Sequence, residues 1–112
     1  MRKLLPLVLV LLSIAPLFGQ TPRITEFLAT NVNGIVDEDS TPQGWIEIWN
    51  PSPTAIASLN GLKLSNGTTS WTIPNVQLMP DERMFVFASG KNRTTVTARL
   101  HTNFTILSLI HI

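Results

Sequence analysis

Three adjacent carboxylates, Asp37-Glu38-Asp39, stand in a long polar stretch that also holds Asn31 and Asn33. Hard cations take several carboxylate or carbonyl oxygens from one flexible loop, so weak calcium binding is the chemistry open to this stretch, with Asp37 and Asp39 as candidate ligands. The Asp-x-Asp-x-Asp-Gly ladder of a calcium loop and its closing bidentate Glu are absent. The simpler reading, preferred here, is a solvated acidic loop braced by Asx turns, with no cofactor. Glu26 and Glu47 are carboxylates inside apolar runs. Held about 5–9 Å apart in a cleft, such a pair performs acid–base chemistry. Nothing in the sequence places them in one. Each is read instead as accepting a hydrogen bond from a loop backbone or an Arg, because buried charges pair.

Trp45, Glu47 and Trp49 alternate along one run. Aromatics on an open face stack on sugar rings or bases, and a carboxylate between them bonds hydroxyls. Packing against a loop or a neighbouring domain is the competing reading, since large aromatics carry packing first. This trio is the best candidate ligand-binding surface in the chain. His101 has no cysteine to help it hold a metal, and tetrahedral zinc needs three or four protein ligands. It is expected to be a structural hydrogen-bonder. Lys91, Arg93 and Arg99 form a modest basic group, too weak for phosphate without more charge or a helix N-terminus, and are read as solvated. Asn66-Gly67-Thr68, Asn92-Arg93-Thr94 and Asn103-Phe104-Thr105 are formal glycosylation acceptors. No catalytic residue is expected.

Strands carry these groups. No segment sustains an apolar i, i+3, i+4 pattern. Residues 23–29 form a first strand, in which Phe27-Leu28 breaks the alternation and suggests a bulge. Residues 30–44 are a loop. Trp45-Ile46-Glu47-Ile48-Trp49 is the clearest strand, with Ile46 and Ile48 on one face and the candidate trio on the other. Asn50-Pro51-Ser52-Pro53 stops it. Short strands follow at 55–59, 62–65, 70–73 and 76–79, separated by Asn60-Gly61, Asn66-Gly67 and Pro74. Arg83-Met84-Phe85-Val86-Phe87-Ala88 reads as a central strand buried on both faces. Residues 100–106 begin a further element. Turn signals every 8–12 residues predict an all-β, immunoglobulin-like antiparallel β-sandwich, without the Cys…Trp…Cys pattern of antibody domains.

Both ends are set apart from the fold. Arg2 and Lys3 precede an apolar run from Leu4 to Leu12 that is short for a bilayer span, and Pro16 and Gly19 follow. Residues 1–19 therefore read as a secretory signal cut after Gly19, with a cut beyond Ala15 as the alternative, which implies a secreted or cell-surface protein with no membrane span after cleavage. Leu107-Ser108-Leu109-Ile110-His111-Ile112 resembles a translated transposon end of the kind used in sequencing adapters, and residues 107–112 are read as an artefactual tail. The domain is then 20–106, incomplete at its C-terminus. The 112 residues carry 8 Lys+Arg against 7 Asp+Glu, a formal charge of +1. Removing residues 1–19 leaves 6 basic groups against 7 acidic, so no field favours nucleic acid. The absence of cysteine excludes disulfides, a thiolate nucleophile and cysteine-ligated zinc.

The ordered set Ile24-Thr25-Glu26-Phe27-Leu28-Ala29-Thr30-Asn31, Asp37-Glu38-Asp39, Trp45-Ile46-Glu47-Ile48-Trp49-Asn50-Pro51, Trp71-Thr72-Ile73-Pro74, Phe85-Val86-Phe87-Ala88-Ser89-Gly90-Lys91 and Leu100-His101-Thr102-Asn103-Phe104 resembles a bacterial lamin-tail domain. The resemblance runs from about residue 23 to 106. It implies an immunoglobulin-like sandwich serving as an extracellular accessory module beside CotH-like kinases, nucleases, phosphoesterases or surface anchors. Three departures each remove a carboxylate: Gly44 before the Trp, Ser40-Thr41-Pro42-Gln43, and Ser65-Asn66. The expected function is a secreted, non-catalytic binding, tethering or scaffolding module. Its partner is an extracellular ligand or a neighbouring domain of the same chain. Two alternatives stay open: the leader module of a larger secreted enzyme, and a calcium-dependent adhesion unit.

Overall fold

The computed structural model describes residues 11–13 and 21–106, and all the regular elements among them are strands. They are β1 (Leu11–Ser13), β2 (Arg23–Leu28), β3 (Gly44–Trp49), β4 (Ala57–Ser58), β5 (Lys63–Ser65), β6 (Ser70–Thr72), β7 (Gln77–Leu78) and β8 (Arg83–Ala88). They pair antiparallel in three sheets, ordered β2-β3-β8, β1-β5-β6 and β4-β7. The protein is all-β.

Alternation in β3 works as the sequence predicts. Ile46 and Ile48 are fully buried, and their cross-strand neighbours Phe27, Val86, Ile24 and Met84 complete an apolar inner face. Ile24 and Phe27 are three residues apart and share that face only because the register shifts between Ile24 and Glu26. The bulge therefore sits earlier than Phe27-Leu28. The inner face packs on Leu64 of β5, Trp71 of β6, Leu78 of β7, and on Leu59, Ile73, Leu100, Phe104 and Ile106. Side chains from separate antiparallel sheets thus meet in one core, which is the arrangement of a sandwich.

Three expectations change in detail. β8 is not buried throughout: Arg83 and Phe85 are exposed, and only Val86, Phe87 and Ala88 are enclosed. Enclosure begins where residues 100–102 run alongside, with Phe87 N–H donating to Leu100 O and Thr102 N–H to Phe87 O. The strands expected at 55–59 and 76–79 shrink to two residues each, β4 and β7. Their ends are drawn off the ladder by Asn50, whose fully buried Nδ2 donates to Ala55 O, Leu78 O and Met79 O. Gly44 tolerates no side chain, because a Cβ there would stand 2.9 Å from Leu28 O. An Asp at that position, as in the lamin-tail pattern, would force the backbone to move.

Of the segment read as a signal, Leu11–Ser13 forms β1 against β5. The remainder of residues 1–19, and the tail 107–112, lie outside the described residues.

Candidate functional site

The acidic loop closes on itself before it meets anything else. Asp37 N–H donates to Thr41 O, Ser40 N–H donates to Asp37 O, and Ser40 takes a left-handed backbone (φ 61°) to make the turn. Asp37 Oδ1 accepts the N–H groups of Asp39 (2.9 Å) and Thr41 (3.0 Å), the Asx turn that the residue types predict. Its carboxylate is left buried at 3% exposure, while Glu38 and Asp39 project outward.

The basic group meets this turn from the other side. Gly90 (φ 79°) and Asn92 (φ 52°) twist the chain after β8, and Arg93 then pairs antiparallel with His101 through N–H···O bonds in both directions. Lys91 and Arg93 thereby face the loop. Lys91 Nζ donates to Asp37 Oδ2 (2.5 Å) and Asp39 Oδ2 (2.8 Å). Arg93 donates to Glu38 and, at 2.8 Å, to Asp39. His101 is fully enclosed, with Nε2 at 2.8 Å from Glu38 Oε1 and Nδ1 at 2.7 Å from Ser89 Oγ. Arg99 reaches Val36 O at 3.5 Å and lies over the Phe87 ring. Lys91 and Arg93 are therefore counter-charges for the acidic loop, which is a clasped turn rather than a freely solvated one.

Electrostatics follow the contacts. Burial by itself raises the Asp37 carboxyl, but the Lys91 ammonium and the two backbone N–H groups outweigh it and hold it at about 2. Glu38 also falls to about 2, through its own backbone N–H first and then His101 and Arg93. Asp39 is lowered by Lys91 and Arg93, Lys91 is raised chiefly by Asp37, and Arg93 chiefly by Asp39. With Glu38 ionised and able only to accept, His101 Nε2 carries a hydrogen.

Ligand atoms of Asp37, Glu38 and His101 lie within 4.8 Å of one another, a spacing a metal ion accepts. Asp37 and Asp39, the candidate cation ligands, do come together, but on Lys91 Nζ: positive side chains already fill the place a cation would take. Ser89, His101 and Glu38 have the connectivity of a nucleophile, base and orienting carboxylate. No surface of His101 is exposed, so no substrate can reach the nitrogen that would act as base.

The aromatic trio lies on the outer face of β2-β3-β8, and register sets its neighbours. Arg23, Trp49 and Arg83 form one row across the three strands, with both guanidinium groups near the indole, at 5.9 and 4.8 Å from its centroid. Trp49 Nε1 donates to Asp81 Oδ1 at 2.9 Å. Glu47 accepts from Thr25 Oγ1 at 2.7 Å and lies 3.7 Å from Arg83, the pairing expected of a strand carboxylate. Trp45 is only 8% exposed because Phe85 stacks on it at 4.7 Å. The accessible surface is thus Arg23, Trp49, Arg83 and Phe85, of which only Trp49 stands out in the sequence. The signal that would have found the others is the β3–β8 register. Glu26 and Glu47 face each other across β2 and β3 on this open face, not in a cleft.

No family model, curated protein or solved structure matches the chain.

Proposed function

We propose that this chain is a secreted, non-catalytic β-sandwich module of the immunoglobulin-like, lamin-tail type that binds or tethers through the outer face of β2-β3-β8. One observation carries the reading: a row of Arg23, Trp49 and Arg83, with Phe85 beside it, lies on an open sheet face where small polar side chains would suffice for solubility. Flat aromatics there offer stacking area to sugar rings, and the guanidinium groups offer donors to hydroxyls or carboxylates. The rest of the molecule supplies rigidity to that face. The signal-like start of the chain supports an extracellular setting, and among the described residues no helix is long and apolar enough to cross a membrane. The ordered lamin-tail residues and the antiparallel all-β arrangement support the family reading.

The test is retention of the purified protein on insoluble chitin, cellulose and peptidoglycan. Binding to at least one is expected, with loss in Trp49→Ala and Phe85→Ala variants that remain folded at the assay temperature, as checked by their melting curves. Failure on all three, or retention unchanged in both variants, would count against this face.

A further inference from the structure

β5 is held on both sides. On one it pairs with β6, matching Lys63, Leu64 and Ser65 to Thr72, Trp71 and Ser70. On the other it pairs with β1, matching the same residues to Ser13, Leu12 and Leu11. The β5-β6 hairpin is anchored independently of β1, because Leu64 and Trp71 are buried in the common core and the Trp71 indole donates to Asn92 Oδ1 at 3.0 Å. β1 belongs to the leader. Cleavage after Gly19 removes it and strips β5 of partners along one edge, leaving a row of N–H and C=O groups that templates another strand.

Two further observations define what belongs there. β1 also comes close to β2 without pairing with it, so a strand seated beside β5 has a neighbour on its far side. Lys63 is exposed on β5, and a lysine is a usual guard on a strand that becomes an edge. We infer that leader removal opens a strand-acceptor slot beside β5, and that it takes an extended, uncharged, leucine-rich segment of a partner, antiparallel to β5. Main-chain bonds to Lys63 and Ser65, the residues that β6 does not use, supply the attachment, and the apolar residue opposite Leu64 supplies selectivity. The slot is separate from the Trp49 face. It rests on the export reading, because only a processed chain vacates it.

The experiment starts with the protein expressed behind its own leader and recovered from the culture medium, its N-terminus fixed by intact mass. A labelled peptide spanning residues 8–15, with two lysines appended for solubility, is titrated by fluorescence polarisation. Saturable binding is expected, with slowed amide exchange at Lys63 and Ser65. The same peptide with proline at the Ser13 position, opposite Lys63, which removes a main-chain donor and leaves the protein unaltered, should bind about tenfold more weakly or worse. A processed chain that ignores the peptide, or binds both versions alike, overturns the slot and leaves the export reading standing. A mature protein that retains residues 1–19 overturns the export reading and the slot with it.

Discussion

Asn50 and Asp37 each gather distant pieces of chain around one buried polar side chain, and they do so with opposite chemistry. Asn50 is neutral. Its amide donates to three carbonyls, its Oδ1 accepts Ser52 N–H, and its own N–H donates to Glu82 O. Asp37 is charged and needs Lys91, which in turn needs Asp39 and brings in Arg93 and Glu38. A neutral knot is satisfied at any pH and by short-range contacts alone. An ionic clasp depends on pH and salt, and its members cannot be altered singly without leaving a charge behind. The Asn50 knot locks the short β4-β7 sheet beneath the core, whereas the clasp fastens a loop to the sequence after β8 and leaves the outer face free.

The contrast has measurable consequences. Asn50→Ala should have the largest effect, about 3 kcal/mol in urea denaturation, because it removes a fully buried side chain that bonds Ala55 O, Leu78 O, Met79 O and Ser52 N–H at once. The loss should be the same at pH 7 and pH 4; a pH-dependent loss would erase the distinction between the two centres. Asp37→Ala should cost less, about 1–2 kcal/mol, by removing an acceptor of two backbone N–H groups and of the ammonium. Adding Lys91→Met to it should cost little more, since the two residues act as a unit; full additivity would show that the pair is not coupled. Acid should act on the clasp. Asp37 and Glu38 have folded values near 2, against ordinary values of 3.8 and 4.5. Their contribution is therefore complete above about pH 4.5 and is lost as the pH falls towards 2. The melting temperature should drop over that window in the wild type and less in Asp37→Asn/Glu38→Gln. Calcium and chelator should leave the melt unchanged while Lys91 holds Asp37 and Asp39; a rise with calcium would favour the adhesion reading. The smallest effect belongs to Trp49→Phe, about 0.5–1 kcal/mol for one partly exposed indole bond to Asp81, with no change in pH response.

Legibility in the sequence tracked the range of the interaction. β3 could be read directly because a period of two is a local property, and Ile46 and Ile48 lie where it puts them. The Asx turn at Asp37 was equally local. The ends of β4 and β7 could not be read, because Asn50 pulls on carbonyls five to twenty-nine positions away. The clasp itself joins residues 52 to 63 positions apart, and no pattern of charges along a chain says which will meet. Trp45 could be assigned to the outer face, but its cover by Phe85 depends on the β3–β8 register, which turns and spacing leave open.

The three tryptophans occupy three unlike surroundings: Trp71 in the core bonded to Asn92, Trp45 beneath Phe85, and Trp49 between two arginines. Since the chain has no tyrosine, near-ultraviolet emission comes from these indoles alone. Single-tryptophan versions would give this protein three native optical gauges, one for the interior, one for the stacked lid and one for the guanidinium-flanked surface, with no dye attached.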